Sequence, residues 1–198
     1  MPGQGMLILL SGPSGSGKGT VCSRLINTLR GIRLSVSATT RQPRPGEVHG
    51  RDYYFMSREE FEKLTGEGGF LEWAPIYGYL YGTPAGPVRE ALSRGEDVIL
   101  EIDVQGGLQV KEHFPDAVLI FLIPPSRSAL QSRLMARGTE SQPEIEKRML
   151  WADTELGFIP RYDYVLVNDR ISDTVAVVRC IVEAERSRSA RFRLPQDW

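Results

Sequence analysis

A glycine-rich loop near the start of the chain combines residue types that bind phosphate. It runs Gly12-Pro-Ser-Gly-Ser-Gly-Lys-Gly-Thr20, after the apolar run at 6–10 and before a stretch of helical spacing that begins at Val21. Glycines let the backbone fold back so that its N–H groups point inward, and the following helix adds the positive end of its dipole. Lys18 can then reach the outer phosphates of a nucleoside triphosphate. Because a predicted strand and a predicted helix flank the loop, a triphosphate site is favoured over a glycine-rich turn with a surface lysine.

The end of this loop departs from the common pattern G-x-x-x-x-G-K-[ST]. Gly19 stands where serine or threonine is usual, and a hydroxyl comes one residue later, at Thr20. In the common pattern that hydroxyl contacts the Mg²⁺ of the nucleotide. Two arrangements therefore stay open: Thr20 contacts the metal, or phosphates and water hold most of it. The residues predicted to bind the triphosphate form the whole loop: Gly12, Pro13, Ser14, Gly15, Ser16, Gly17, Lys18, Gly19 and Thr20.

A second candidate phosphate site lies in a loop rich in proline and glycine. Arg41 and Arg44 are three residues apart and supply forked donors that suit phosphate. Exposed arginines without a ligand are the common alternative for such a pair. That alternative loses weight because further polar and aromatic residues with ligand chemistry occur in or beside the same stretch: Ser37, Tyr53, Glu72, Tyr81 and Thr83. A phosphate loop alone does not decide the reaction, since GTPases, helicases and small-molecule kinases share it.

Apolar strands that alternate with helices predict the framework for these residues. Strands are predicted at 6–10, 34–37, 97–103, 117–123 and 164–168, and helices at 18–30, 88–94, 105–113, 126–137, from 141 onward and at 172–190. This alternation indicates an α/β fold with a parallel sheet and helices on both faces. Residues 38–86 do not continue this alternation of apolar strands and helices. They predict a small β-rich insertion, in which strands at 70–74 and 77–81 pair antiparallel. The polar segment 38–50 is predicted to hold no core element.

Composition excludes several classes of protein. A net charge of −1 argues against a protein that coats nucleic acid or an anionic membrane. No basic segment precedes an apolar one at the N-terminus, and no apolar run approaches the length of a membrane span, so a cytoplasmic location is expected. Cys22 and Cys180 are predicted to be buried free thiols, and no Cys/His spacing suggests zinc.

A set of motifs resembles the guanylate kinase family. The motifs follow one another in the family's order and spacing. They are Ser37-Ala-Thr-Thr-Arg41-Gln-Pro-Arg44-Pro-Gly-Glu47, Phe70-Leu-Glu72-Trp73, Tyr81-Gly-Thr83, Glu101-Ile-Asp103-Val-Gln-Gly106, Pro124-Pro-Ser126 and Val167-Asn168-Asp169. The similarity covers nearly the whole chain. It implies phosphorylation of GMP, and of dGMP with it, by ATP and Mg²⁺. It also implies three parts: a phosphate-loop core (1–37, 87–131 and 154–198), a GMP-binding domain (38–86) and a lid (132–153).

The resemblance also assigns the acceptor site residue by residue. Four residues match the family's ligands for the GMP phosphate: Arg41, Arg44, Tyr53 and Tyr81. Glu72 matches the carboxylate that binds guanine, and Ser37, Thr83 and Asp103 match the other contacts to the base. The chemistry agrees independently, because one carboxylate can accept hydrogen bonds from both N1–H and the N2 amine of guanine. Adenine would leave Glu72 unpaired, and sites of this kind discriminate by roughly 10⁴-fold or more.

Further arginines resemble the family's lid residues. Arg133 and Arg137 share one helix face, and Arg148 follows on the next helix. A solvated basic face is the alternative, but phosphoryl transfer needs several donors around the migrating group. The resemblance implies direct in-line transfer without a covalent intermediate, with Lys18, Mg²⁺ and the arginines bridging donor and acceptor. Asn168 matches the segment that borders the adenine of ATP.

Two departures and two alternatives remain. Tyr79-Leu80 replaces the more usual Asn-Tyr, and Glu101 stands where the family often has aspartate. A non-catalytic guanylate-kinase-like binding module would be expected to have an eroded phosphate loop, whereas this chain keeps Gly12, Gly17 and Lys18. A phosphate-loop kinase for another phosphorylated acceptor is disfavoured by Glu72. The expected partners are therefore the small molecules ATP and GMP, and the oligomeric state stays open.

Overall fold

The fold is built around a five-stranded parallel sheet. The computed structural model describes residues 5–76, 78–136 and 141–191. The strands are β1 (Leu7–Ser11), β2 (Ile32–Leu34), β3 (Ala38–Thr39), β4 (Tyr54–Phe55), β5 (Phe70–Ile76), β6 (Tyr79–Pro84), β7 (Asp97–Glu101), β8 (Val118–Ile123) and β9 (Tyr164–Val167). The helices are α1 (Lys18–Thr28), α2 (Arg58–Gly66), α3 (Ala85–Ser93), α4 (Val104–His113), α5 (Arg127–Ala136), α6 (Gln142–Leu156) and α7 (Ile171–Arg186), with a 3₁₀ turn at Ile159–Arg161. The parallel sheet has the order β2-β7-β1-β8-β9.

The central strands are buried on both faces. In β1, Leu9 belongs to one hydrophobic cluster, with residues of α3 and α4, whereas Ile8 and Leu10 belong to another, with residues of α1 and α7. Alternate residues of a strand point to opposite faces, so a strand covered twice needs apolar residues throughout. The predicted α/β class with helices on both faces is therefore confirmed.

A second sheet, of order β4-β3-β6-β5, forms the predicted β-rich insertion. β5 and β6 pair antiparallel, as predicted, with Glu72 opposite Thr83. The helix α2 starts at a capping box, in which Ser57 and Glu60 exchange side-chain and backbone hydrogen bonds. Phe61 and Phe70 stack with ring centroids 4.3 Å apart. This small core holds the insertion together.

Three details of the sequence-based prediction are wrong. The strand expected at 34–37 ends at Leu34, because the chain crosses there from the parallel sheet to the second one. Ala38 and Thr39, in a segment expected to hold no core element, are fully buried in β3. Cys22 and Cys180 are both free thiols, but Cys180 is exposed. The buried face of α7 carries Val178 and Val182 instead.

Helices α5 and α6 pack on each other over a separate cluster of five buried residues, Leu130, Leu134, Ile145, Met149 and Ala152. A second capping box, Ser141 with Glu144, opens α6. Within the described ranges, no helix has the length and apolar character needed to cross a membrane. The carboxyl ends of β1, β7 and β9 lie at one edge of the sheet, where ligands bind in open α/β folds.

Candidate active site

The phosphate loop connects β1 to α1 in the predicted strand–loop–helix order. Gly12 has φ +140°, and a Cβ there would lie 2.1 Å from the carbonyl oxygen of Leu122. Both the backbone angle and the close strand therefore require glycine. Lys18 is the first residue of α1, and its Nζ donates to the carbonyl oxygens of Gly12 at 2.6 Å and Pro13 at 3.2 Å. The ammonium group thus lies over the loop that would hold the phosphates.

Asn168 forms a side-chain hydrogen bond to the phosphate loop. Its side chain is fully buried, and its Nδ2 donates to the carbonyl oxygen of Ser16 at 2.7 Å. Its Oδ1 accepts from the hydroxyl of Thr174 at 2.9 Å. The family resemblance matches Asn168 to a segment that borders adenine, and in the structure both ends of its side-chain amide contact protein, one of them the phosphate loop.

Two of the three predicted lid arginines lie near the loop. Nη2 of Arg133 donates to the carbonyl oxygen of Asn168 at 2.9 Å, and Nη1 of Arg148 donates to the hydroxyl of Ser14 at 2.6 Å. The third, Arg137, lies outside the described residues. The guanidinium group of Arg148 therefore contacts the phosphate loop directly, whereas that of Arg133 contacts Asn168, which is itself bonded to the loop.

A cleft of about 850 Å³ lies between the loop, the α6 helix and the second sheet. Predicted site residues that line it are Gly12, Ser14, Gly15, Gly17, Lys18, Gly19, Thr20, Ser37, Tyr53, Asp103 and Arg148. Pro13 and Ser16, also predicted to bind, are buried in the loop itself. Trp151 of α6 and Ile76 of β5 line the same cleft and are contributed by separate parts of the chain.

An arginine and two tyrosines cluster on the second sheet. The guanidinium carbon of Arg41 lies 5.4 Å from the ring centroid of Tyr53, and the rings of Tyr53 and Tyr81 meet edge-on at 6.1 Å. Burial, and then the neighbouring Tyr81, raise the pKa of Tyr53, so its hydroxyl keeps its proton at neutral pH. The side chain of Arg44 is exposed in the following turn. Phenol hydroxyls and a guanidinium group are hydrogen-bond donors for an anion.

Glu72 lies in an acidic pocket with Thr83 and Asp103, and Asp103 also lines the cleft. The hydroxyl of the buried Thr83 donates to Oε1 of Glu72 at 2.6 Å. A Cβ at Gly106 would lie 2.9 Å from Oε2 of Glu72 and 3.3 Å from Oδ1 of Asp103, so both carboxylates flank this glycine. Burial raises the pKa of Glu72 to about 7, and the charge of Asp103 adds to the effect. The pocket thus presents acceptors to a ligand that carries adjacent N–H donors.

Oxygen donors also stand beside Gly19. A Cβ at this position would lie 3.2 Å from Oε2 of Glu101, so the carboxylate borders the space of the missing side chain. The hydroxyl-bearing Thr20 lines the cleft next to it. In the part of the chain that the structure describes, no three His, Cys, Asp or Glu side chains gather into a metal-binding group.

Two carboxylates of this region were not singled out from the sequence. Glu155 lines the cleft from α6, where burial raises its pKa and the charge of Lys18 acts in the opposite direction. Glu155 follows Arg148 by seven residues, a spacing that puts the two side chains on one helix face. This spacing was the signal in the sequence for Glu155. Glu47 forms an ion pair with Arg41 at 2.9 Å. The turn sequence Arg44-Pro-Gly-Glu47 was the available signal for it.

Comparison with known proteins adds to this geometry. The family model described as Guanylate kinase matches residues 4–185. A guanylate kinase of Caldanaerobacter subterraneus is 51% identical over 95% of this chain and 91% of its own length, and one of Thermus thermophilus is 53% identical over 96% and 86%. The crystal structure of guanylate kinase from Anaplasma phagocytophilum superposes with a TM-score of 0.79 at 34% identity, covering 96% of this chain and 90% of that one.

Proposed function

The chain belongs to the guanylate kinase family, and we propose that it transfers the γ-phosphoryl group of ATP to GMP, forming GDP and ADP. It is an enzyme, an ATP:GMP phosphotransferase. The observation that carries the substrate assignment is the Glu72–Thr83–Asp103 pocket in the same protein as a phosphate loop. The three-part division also belongs to this proposal, with core 1–37, 87–131 and 154–198, GMP-binding domain 38–86 and lid 132–153.

Guanine recognition follows from the acceptors of the acidic pocket. The Glu72 carboxylate accepts from N1–H and from the N2 amine of the base, with Ser37, Thr83 and Asp103 at its other polar atoms. Thr83 holds the carboxylate in place through its 2.6 Å hydrogen bond. A base without these adjacent donors would leave a buried carboxylate unpaired, which is costly. Selectivity for GMP over AMP results from that cost.

Transfer proceeds by positioning and by neutralisation of charge. The acceptor is already an anionic phosphate oxygen, so no general base is required, and the reaction is a direct in-line displacement. Arg41, Arg44, Tyr53 and Tyr81 hold the phosphate of GMP, whereas the loop and Lys18 hold that of ATP. The positive groups that surround the migrating phosphoryl group are Lys18, Arg41, Arg44, Arg133, Arg137 and Arg148. Such preorganised charges lower the barrier more than they would in water.

Mg²⁺ fits the oxygen donors beside Gly19. The Glu101 carboxylate borders that position at 3.2 Å from a Cβ built there, and Thr20 lines the cleft. Mg²⁺ prefers oxygen ligands and keeps several waters, so phosphates would supply much of its coordination. The ion would neutralise charge on the triphosphate.

The remaining proposals concern location and partners. We propose that the protein is cytoplasmic and that its partners are the small molecules ATP and GMP, not nucleic acid or membrane.

A substrate panel tests the proposal directly. ADP release would be measured in a coupled assay with GMP, dGMP, IMP, AMP and CMP, each at matched concentrations. GMP and dGMP should be turned over, and AMP and CMP should have kcat/KM values lower by roughly 10⁴-fold. IMP, which keeps N1–H but lacks the N2 amine, should fall between them. Equal turnover of AMP would refute the guanine assignment, and GMP binding without turnover would favour a binding module.

A further inference from the structure

The carboxylate of Glu47 accepts two hydrogen bonds from Arg41, a residue that the proposed function places at the GMP phosphate. Its Oε1 accepts from Nη2 of Arg41 at 2.9 Å, and its Oε2 accepts from Nη1 at 3.0 Å. The pair is well shielded, with side-chain exposures of 11% for Arg41 and 20% for Glu47. A bidentate, shielded pair restricts a guanidinium group much more than an exposed surface pair does.

The same carboxylate closes the turn that carries the second arginine. Oε2 of Glu47 accepts from the backbone N–H of Arg44 at 2.7 Å, and the backbone N–H of Glu47 donates back to the carbonyl oxygen of Arg44 at 3.0 Å. Between them, Pro45 and Gly46 with φ +90° correspond to the central residues of a type II turn. Glu47 therefore fixes both the side chain of Arg41 and the backbone of Arg44.

Arg41 uses some of its N–H donors for contacts within the protein, and the others are available to a ligand. Nη1 gives one N–H to the carbonyl oxygen of Gln42 at 2.7 Å and one to Glu47, and Nη2 gives one to Glu47. The hydrogen bond with Glu47, and then the one with Tyr81, raise the pKa of Arg41. One N–H on Nε and one on Nη2 make no hydrogen bond to Glu47 or to Gln42. These two donors lie on one edge of the guanidinium plane, which is the geometry that binds two oxygens of a phosphate.

We propose that Glu47 is a positioning residue for the acceptor phosphate: it orients the Nε–Nη2 edge of Arg41 and holds the Arg44 turn before GMP arrives. The proposal rests on the function proposed above. The Glu47 carboxylate reduces the net positive charge of the phosphate site. If this position served only to attract the GMP phosphate, an acidic residue would be unfavourable there. Its benefit is that the ordering entropy of two long side chains is lost on folding instead of on binding.

The test compares GMP with guanosine, which lacks the phosphate. Dissociation constants of both would be measured by calorimetry for wild type, Glu47→Gln and Glu62→Gln. Glu47→Gln keeps the side-chain length and one acceptor for the N–H of Arg44 but removes the charged second contact to Arg41. Glu62→Gln is the matched control, because Glu62 pairs with Arg58 on the exposed face of α2 at 2.8 Å.

We expect Glu47→Gln to weaken GMP about tenfold or more, to change guanosine less than twofold and to raise the KM of GMP without changing that of ATP. In an Arg41→Met background, Glu47→Gln should cause no further loss, because the glutamine keeps the acceptor for the Arg44 N–H and changes only the contact to Arg41. If Glu47→Gln does not fold, Glu47→Asp, which keeps the charge but is one methylene shorter, should change the same constants in the same direction.

Equal losses for GMP and guanosine would show a merely structural role and would overturn the proposal, as would additive losses in the Arg41→Met background. Unchanged GMP binding by Glu47→Gln would also overturn it while leaving the kinase assignment intact. Failure of the wild-type protein to bind GMP would instead overturn both. The wild-type titration therefore separates the two failures.

Discussion

The hydroxyl of Thr83 donates a 2.6 Å hydrogen bond to Oε1 of Glu72, between residues that face each other across the β5–β6 pair. This bond orients a carboxylate whose pKa burial raises to about 7. The proposed recognition of guanine by Glu72 would therefore depend on a proton that titrates near neutral pH.

Guanosine binding should weaken as the pH falls through about 7. Only the ionised Glu72 can accept from both N1–H and the N2 amine, so each pH unit below the pKa should cost up to about tenfold in affinity. Guanosine is the proper ligand because the phosphate of GMP titrates near pH 6. Calorimetry from pH 5.5 to 8.5 checks this. Glu72→Gln should bind weakly at every pH, and a pH-independent wild type would contradict the prediction.

The same pKa shift predicts an effect on stability. Folding raises the pKa of Glu72, so its contribution to stability is complete below the unfolded value near 4.5 and is lost as the pH rises through about 7. Glu72→Gln, which removes the buried charge, should therefore raise the melting temperature at pH 8 and change it little at pH 4.5. A melting temperature that falls at pH 8 would count against the raised pKa.

Lys18→Met should abolish turnover while GMP still binds. Lys18 contacts the phosphate loop through Gly12 and is proposed to neutralise the outer phosphates of ATP, whereas the guanine pocket is built from other elements. Loss of one such donor costs about 10²–10³-fold in kcat or more. Coupled ADP release and GMP calorimetry check both parts, with the exposed Lys63→Met as control. Turnover near the wild-type rate would remove Lys18 from the mechanism.

Asn168→Ala should raise the KM of ATP and leave GMP affinity unchanged. The substitution removes the buried partner of the Ser16 carbonyl and one of the two acceptors of the Thr174 hydroxyl, and an unpaired buried group costs about 1–3 kcal/mol. We expect at least a tenfold rise in the KM of ATP. Asn27→Ala is the matched control, because Asn27 Nδ2 donates to a backbone carbonyl at 2.8 Å on the exposed side of α1. Equal effects of the two substitutions would contradict a specific role for Asn168.

Gly12→Ala and Gly66→Ala should have opposite effects on stability. At Gly12 the added Cβ would meet the carbonyl oxygen of Leu122 at 2.1 Å with φ +140°, so a loss of roughly 3 kcal/mol or more is expected. At Gly66, in α2, the Cβ meets nothing within 4 Å, and a gain of about 0.5–1 kcal/mol is expected. Urea unfolding measures both. A stable Gly12→Ala variant would show that the loop can shift from β8.

Closure of the cleft should bury Trp151. This residue is 60% exposed on α6 and lines the cleft together with Ile76. Kinases of this kind must exclude water to avoid hydrolysing ATP, so GMP with a non-hydrolysable ATP analogue should shift tryptophan emission to shorter wavelength. Trp151→Phe should remove most of the shift, because Trp73 lies on the second sheet. An unchanged spectrum together with an unchanged scattering profile would argue against closure.

Local signals in the sequence determined much of the fold. The strand–loop–helix around Lys18, the antiparallel β5–β6 pair and both capping boxes depend on side-chain alternation, turn residues and contacts within four positions. The motif resemblance supplied candidate site residues, because the order and spacing of motifs are properties of the linear chain. Positions where the chain changes sheets, such as 34–38, have no such local signal, and there the predicted strand was wrong.

Tertiary structure alone decided the contacts between distant residues and their electrostatic consequences. Asn168 meets Ser16 across 152 positions, and Arg148 meets Ser14 across 134. No pattern of composition or periodicity encodes such a pair. The raised pKa of Glu72 likewise depends on how much water the folded chain excludes around one carboxylate. The sequence therefore indicated candidate site residues, whereas the packed structure determined which side chains contact one another, as Asn168 contacts Ser16 and Glu47 contacts Arg41.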